Sequence, residues 1–321
     1  MTFRAAALVA LVLVAAVPDR AGAQTARSVK VTVLSTMLSG NPGGGIGEWG
    51  FAALLEVDGR RLLVDTGARA ETVLQNAAEL KVDLSDVTDL VITHNHADHT
   101  GGLITLRREL AKKNPKALSR AHVAKGIFDP RPGPGGTERN GLLPLKAEYE
   151  SLGGQFVEHA SAVALSPAVW LTGPVPRVHP ERNWSGPLQV QSAAGLVEDT
   201  IPEDASLVIN TAEGLILISG CGHAGIVNTI VHSRKVVRDA PVVAAVGGFH
   251  LFAASDATLD WTAAELKTAG VKYLLGAHCT GLEAVYRLRS LLGLSREAAV
   301  VGAVGSSYTL GSGITALALA K

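Results

Sequence analysis

Aromatic side chains are scarce in this sequence, 4% of 321 residues. So thin a set cannot build a broad stacking platform, which argues against a surface that holds single-stranded nucleic acid or long oligosaccharides. An excess of charge is also missing: 29 Lys and Arg balance 29 Asp and Glu, so no global field draws in nucleic acid or an anionic membrane. Cysteine is nearly absent. Cys221 and Cys279 cannot supply a framework of bridges, so the core must hold the fold. Each lies beside a histidine, in Cys221-Gly222-His223 and His278-Cys279. That setting suggests metal or catalytic surroundings, with a single bridge between the two as the alternative. Nor does any apolar run reach the roughly 20 residues that span a bilayer.

What is present is a globular composition, 47% hydrophobic and 18% charged. The N-terminus has its own grammar: Arg4, an apolar run from Ala5 to Val17, Pro18, then Ala21-Gly22-Ala23 before Gln24. This predicts a signal peptide over residues 1–23, cleaved after Ala23, and a periplasmic or secreted protein with no stable membrane insertion afterwards. An uncleaved anchor would hold the domain on the same side. Over residues 24–321 neither a repeat nor a dividing linker is visible, which predicts one layered domain with helices packed on sheets.

Hydrophobic periodicity predicts strands at Val29–Leu34, Phe51–Val57 and Leu62–Val64, a helix from about Thr72 to Leu80, and a buried strand at Asp89–Thr93. A helix over Leu103–Leu110 follows. Strands at Leu207–Asn210, Leu215–Ser219, Val242–Val246 and Val271–Leu275 come later, separated by helices near 224–237, 256–269 and 281–292. The glycine-rich segment Gly40–Gly47 suits a mobile loop over a site or an ordinary connector, and the proline-rich segments Phe128–Gly136 and Pro174–Pro187 predict long surface loops.

The chemistry concentrates at His94-Asn95-His96-Ala97-Asp98-His99, directly after a predicted strand. Residues two apart in an extended segment face the same side, so His94 and His96 can grip one metal, while Asp98 and His99 follow a turn and can grip a second. Imidazole and carboxylate suit zinc, iron or manganese, and too few thiolates are present for a closed structural zinc. His223, His250 and His278 also fall just beyond predicted strands. His232 falls inside a helical pattern, His159 has no marked partner, and His122 and His179 adjoin loops that could fold over the site. Gly220-Cys221-Gly222-His223-Ala224-Gly225 matches the dinucleotide pattern G-x-G-x-x-G, yet it lacks an N-terminal βαβ setting and is better explained by tight backbone around a ligand histidine.

The His-x-His-x-Asp-His loop resembles the signature of the metallo-β-lactamase-fold hydrolase superfamily. Leu63-Val64-Asp65-Thr66-Gly67 resembles its early aspartate motif. The stretches 219–226, 247–251 and 278–281, with Glu48-Trp49-Gly50-Phe51 and Val175-Pro176-Arg177, resemble the branch labelled 7,8-dihydropterin-6-methyl-4-(β-D-ribofuranosyl)-aminobenzene-5′-phosphate synthase-like. The resemblance implies an α/β (α+β) fold, a four-layer αββα sandwich holding two divalent ions, zinc first and iron or manganese as alternatives. It places His94 and His96 on the first metal and Asp98, His99 and His278 on the second. The superfamily's bridging aspartate is replaced by Cys221 or His223, with His223 favoured. His250 is a further ligand or a catalytic substrate contact, and Asp65 orients a ligand histidine.

The function expected is hydrolysis of a small ester, lactone, amide or phosphoester by water activated between the metals, with Asp98 also orienting the nucleophile. Arg177, His250 or the glycine-rich loop would contact substrate. The alternatives are a synthase of the pterin-pathway kind, iron-based redox chemistry, and a non-catalytic metal carrier. No nucleic-acid partner is expected.

Overall fold

A computed structural model describes residues 24–183 and 188–320, so the signal segment predicted over 1–23 lies outside the described residues. The first half of the chain runs β1 (Val29–Ser35), β2 (Ala52–Val57), β3 (Arg60–Val64), α1 (Thr72–Glu79), β4 (Asp89–Ile92), α2 (Ala97–Thr100), α3 (Leu103–Ala111), β5 (Arg120–Ala124), α4 (Leu142–Ser151) and β6 (Gln155–His159). The second half runs β7 (Val163–Ser166), β8 (Val169–Leu171), β9 (Gln189–Ser192), β10 (Gly195–Glu198), β11 (Ser206–Thr211), β12 (Gly214–Ser219), α5 (Ile226–Val236), β13 (Val242–Gly247), α6 (Asp256–Ala269), β14 (Tyr273–Gly276), α7 (Leu282–Leu292), β15 (Ala299–Val301), β16 (Ser307–Thr309) and β17 (Gly313–Thr315).

Two large sheets result, in the orders β17-β16-β1-β2-β3-β4-β5-β6 and β15-β14-β13-β12-β11-β8-β7. Val31, Val33, Leu55 and Val91 of the first sheet meet Leu207, Ile216, Ile218 and Val246 of the second in one core. Helices α1, α3 and α4 cover the outer face of the first sheet, and α5, α6 and α7 that of the second. This is the αββα sandwich. Strands β12 and β13 are buried along their whole length. They are parallel and covered on both faces, which is why they read as continuous apolar runs rather than alternating ones.

The predicted elements of the two ends match closely. Helix α6 is marked by Ser255, whose side chain accepts from Thr258 N, and by Gly270 in the left-handed region at φ +86°. Those two stops fix its ends. The middle of the chain held more structure than its sequence suggested. Strands β6, β7 and β10 are short and half exposed, so neither alternation nor a continuous apolar run marks them. Helix α4 buries only Leu142 and Tyr149. The loop Phe128–Gly136 is a loop, but Arg131 within it is buried.

The strands that matter for chemistry run parallel: β3, β4 and β5 in one sheet, and β12, β13 and β14 in the other. Their carboxyl ends carry Asp65, His94, Cys221, His223, His250 and His278. Open crevices beyond the carboxyl ends of parallel strands are where such sheets gather ligands.

Candidate metal centre

His94 leaves the end of β4, His96 precedes α2, and Asp98 and His99 lie in its single turn. From the second sheet, Cys221 and His223 follow β12, His250 follows β13 and His278 follows β14. The imidazoles form one continuous cluster. His94 lies with its ring centroid 4.6 Å from His96, 4.2 Å from His99 and 4.8 Å from His223, and His278 is 5.0 Å from His99. His250 joins through His223 at 4.5 Å.

Hydrogen bonds fix which nitrogen of each ring faces inward. Thr93 Oγ1 lies 3.1 Å from His94 Nδ1, Asp65 Oδ2 lies 2.7 Å from His99 Nδ1, and the Asn183 carbonyl lies 2.5 Å from His223 Nδ1. The Nε2 atoms of these three rings are buried with no hydrogen-bond partner among the described residues. A buried ring nitrogen left bare costs about 1–3 kcal/mol, so three in one cluster call for a ligand that accepts their lone pairs. A divalent cation fits that donor set.

Cys221 sits where the two halves meet. Its Sγ groups within 4.8 Å with donor atoms of His94 and His223, and separately with those of His99 and His278. One sulfur therefore stands between two half-sites, in the place where the resemblance suggested Cys221 or His223. The structure brings both to the centre. His94, His96 and Asp98 make a further group, and Cys221, His250 and Cys279 another.

Electrostatics favours bare nitrogens. Burial, reinforced by the neighbouring imidazoles, pushes His94 and His223 well below the usual histidine range. Burial likewise lowers His96 to about 4, against the pull of Asp98. These rings are neutral and ready for a metal near pH 7. His278 behaves differently: burial opposes its charge, but the neighbouring Cys279 and Asp98 outweigh it and raise it to about 10. Its Nε2 lies 3.2 Å from Asp98 Oδ2, without the alignment of a full hydrogen bond. A metal arriving there takes the place of a proton. Asp98 stays ionised, because burial is overcome by His99 and His278.

Asp65 ties the turn after β3 to the histidine loop. Besides His99 it accepts from Thr93 N and Thr93 Oγ1, both at 2.8 Å. Asp65, His250 and His278 are held at φ of +55°, +48° and +47°. Non-glycine residues in that region carry strain, which persists where function needs the side chain aimed.

Other residues of the site were not legible. Asn95, between His94 and His96, donates its amide to Glu203 Oε1 at 3.0 Å and accepts from Arg131 at 3.3 Å. Arg131 also pairs with Asp199 and Glu203 at 2.7 Å each, all of them buried. Glu48 is buried too. It accepts from Ser35 Oγ, Ala68 N and Arg69 N, stitching the entry loop to the Asp65 turn. The one available signal for Glu48 was its place in the resembling stretch Glu48–Phe51.

Two expected substrate contacts are engaged by other parts of the chain. Gly45 N is held by Glu79 and Ile46 N by Asn76, so the glycine-rich segment is tied to α1, and Trp49 beyond it reaches the site. Arg177 gives its guanidinium to the carbonyl oxygens of Thr200 and Ile201. His179 packs near Trp261, His232 bonds the Thr172 carbonyl, and His122 pairs with His159 away from the cluster.

The glycine pattern at 220–225 serves packing. A side chain at Gly220 would overlap Thr93 and Asp65, and one at Gly225, whose φ is +96°, would overlap Glu181. The Glu181 carboxylate accepts from Val227 N and Asn228 N at the start of α5. It holds the position a pyrophosphate would need, which disposes of the dinucleotide reading.

A cavity of about 260 Å³ opens over the cluster, lined by Trp49, His96, Asp98, His250, Phe252 and His278 among others. Trp49 and Phe252 form its rim in edge-to-face contact at 5.5 Å, each about half exposed.

An αββα sandwich whose strand ends converge on histidines, a carboxylate and a thiol is the architecture of a metal-dependent, hydrolase-like protein. Residues 50–143 match the metallo-beta-lactamase superfamily, and the chain belongs to that superfamily. It is 32% identical over 248 residues to 7,8-dihydropterin-6-methyl-4-(beta-D-ribofuranosyl)-aminobenzene-5'-phosphate synthase of Methanocaldococcus jannaschii, covering 73% of this chain and 82% of the relative. The solved structure of Tm1679, described as a metal-dependent hydrolase of the beta-lactamase superfamily, superposes with a TM-score of 0.68 at 26% identity, over 87% of this chain and 98% of that one. The metallo-beta-lactamase fold protein YhfI of Bacillus subtilis gives 0.52 at 12% identity, over 88% and 99% of the two chains, a likeness of fold alone.

Proposed function

We propose that this protein is an exported hydrolase that cleaves a small ester, lactone, amide or phosphoester with two divalent ions, zinc being the first candidate. The observation that carries the reading is the set of bare Nε2 atoms of His94, His99 and His223 meeting around Cys221 beneath an open cavity. When bound, the metals supply Lewis acidity and make water acidic enough to attack near neutral pH. The chain's residues do the rest. His94, His96 and His223 would hold one ion and Asp98, His99 and His278 the other, with Cys221 within reach of both groups. Asp98, ionised and partly open to the cavity, accepts the hydrogen bond that orients the attacking water. His250 turns Nδ1 to Cys221 Sγ at 3.3 Å, which leaves Nε2 for a substrate oxygen or leaving group. Trp49 and Phe252 offer an apolar wall for the substrate's body.

A second reading is a synthase, favoured by the identity with the Methanocaldococcus jannaschii enzyme, whose name gives a phosphorylated pterin-aminobenzene product. The export signal predicted at residues 1–23 argues against a cytoplasmic biosynthetic step.

The test is metal analysis of purified protein, with turnover of generic esters, lactones, β-lactams and phosphodiesters, and His96→Ala and Asp98→Ala in parallel. Stoichiometric metal and an activity that falls at least about 100-fold in Asp98→Ala are expected. Wild-type protein without stoichiometric transition metal sinks the reading, and metal-loaded protein inert on every substrate favours a carrier. Export is checked by the N-terminus of the protein recovered outside the cytoplasm, which should be Gln24.

A further inference from the structure

Cys221 and Cys279 arrive from the ends of β12 and β14 and meet with their Sγ atoms 3.0 Å apart. Both are free thiols. A disulfide requires the sulfurs to close by only about 1 Å. Both are buried, yet both line the cavity over the metal centre beside His96 and Asp98, which is the route open to a small oxidant. Cys221 is also the member shared by the two half-sites, and the group of Cys221, His250 and Cys279 places an imidazole against the same sulfurs.

We propose that Cys221 and Cys279 are a modification site, an oxidisable dithiol whose disulfide withdraws the shared sulfur ligand and releases the metals. The bond itself does not depend on the metal reading; its consequence for the metals rests on it. With hydrogen peroxide as oxidant, one sulfur attacks a peroxide oxygen, the O–O bond breaks, and that cysteine becomes a sulfenic acid as one water leaves. The second sulfur then attacks the sulfenic sulfur, the S–S bond forms, the S–OH bond breaks, and the hydroxyl departs as a second water with the second thiol's proton. Two thiols give up two electrons and two protons, and peroxide takes them. Attack by either sulfur first leads to the same bond. A disulfide sulfur carries no thiolate charge and binds a divalent ion poorly.

The experiment uses the full-length mature protein, reduced and metal-loaded, beside a chelator-stripped sample. Both are treated with hydrogen peroxide, denatured, capped with N-ethylmaleimide and weighed intact, with bound metal measured before denaturation. Oxidised wild type should take up no maleimide, lose the mass of two hydrogens, and hold at least about tenfold less metal. Dithiothreitol with fresh metal should reverse all three. Cys279→Ser should form no internal crosslink, its remaining Cys221 being either capped by maleimide or carrying added oxygen. Oxygen added to the sulfurs without a crosslink, or two thiols surviving in the stripped sample, overturns the proposal. A crosslink that leaves bound metal unchanged overturns the ligand consequence. A crosslink in protein that never binds metal supports the dithiol and removes the hydrolase reading instead.

Discussion

Two histidine clusters invite comparison. In the centre between the sheets, His94, His99 and His223 each have one ring nitrogen tied and the other buried and bare. At the β5–β6 edge, His122 has both nitrogens engaged, Nδ1 with His159 Nε2 and Nε2 with Asp89 Oδ1, each at 3.1 Å. Asp89 in turn accepts from Arg120 at 2.8 Å and Thr88 at 2.7 Å. Clustering of histidine is therefore a poor sign of metal binding by itself. The informative sign is an unanswered lone pair, because a satisfied cluster stabilises the fold while a bare one costs stability until a ligand arrives.

The sharpest way to break that comparison is to remove one histidine from each cluster. His94→Ala or His223→Ala should abolish stoichiometric metal, with affinity falling at least about 100-fold. It should also erase any gain in melting temperature on adding metal to stripped protein. His122→Ala should leave metal content unchanged. If both variants lose metal equally, the bare nitrogens carry no special meaning and the centre lies elsewhere.

A second effect concerns what holds the loop from behind. Arg131→Met leaves Asp199 and Glu203 buried without their cation and Asn95 without its donor. Breaking one side of such a buried network costs about 3–5 kcal/mol. The expected outcome is a large drop in melting temperature together with weaker metal binding. The comparison variant Arg120→Met, at an exposed pair with Asp89, should cost about 1 kcal/mol or less. Equal costs would show that Arg131 supports nothing the metal loop needs.

These residues also mark the limit of what the sequence disclosed. The His94–His99 loop was legible because its donors are contiguous, and His223, His250 and His278 because each follows an apolar strand. The resemblance put His223 ahead of Cys221 as alternatives, and only the folded chain shows that both stand beside His94. Arg131, Glu203 and Asn95 gave no signal. An arginine in a proline-rich loop and a glutamate after another proline read as surface residues, and their burial follows from long-range packing. Strands β5 to β10 and β15 to β17 were missed: β6, β7, β9 and β10 are half exposed and need little apolar pattern, Arg120 and His122 interrupt the apolar residues of β5, and β8, β15, β16 and β17 are only three residues long.

The smallest effect separates the two regions by pH. Burial raises Glu203 to about 7 and Asp204 to about 6, with Arg131 and the Ala224 amide respectively only partly offsetting it. Asp89 shifts the other way, since His122, Arg120 and Thr88 overcome its burial and hold it below the usual carboxylate range. A carboxyl raised on folding lends stability that is complete below its unfolded pKa and lost as pH climbs through the folded one. A carboxyl lowered on folding lends stability present above the unfolded value and lost as pH falls. The buried imidazoles His94, His96 and His223, depressed on folding, add stability toward higher pH up to about 6.5 and mask the trend in a single melting curve. The difference between wild type and Glu203→Gln, both metal-free, removes that shared background. Across about pH 4.5 to 7 the wild type should lose ground to the variant, by on the order of 1–3 kcal/mol. The difference between wild type and Asp89→Asn should have the opposite sign and lie below about pH 4. A Glu203→Gln difference that stays flat to pH 8 would mean that Glu203 ionises freely beside Arg131, and that the carboxylates behind the metal loop are as well satisfied as the one at the sheet edge.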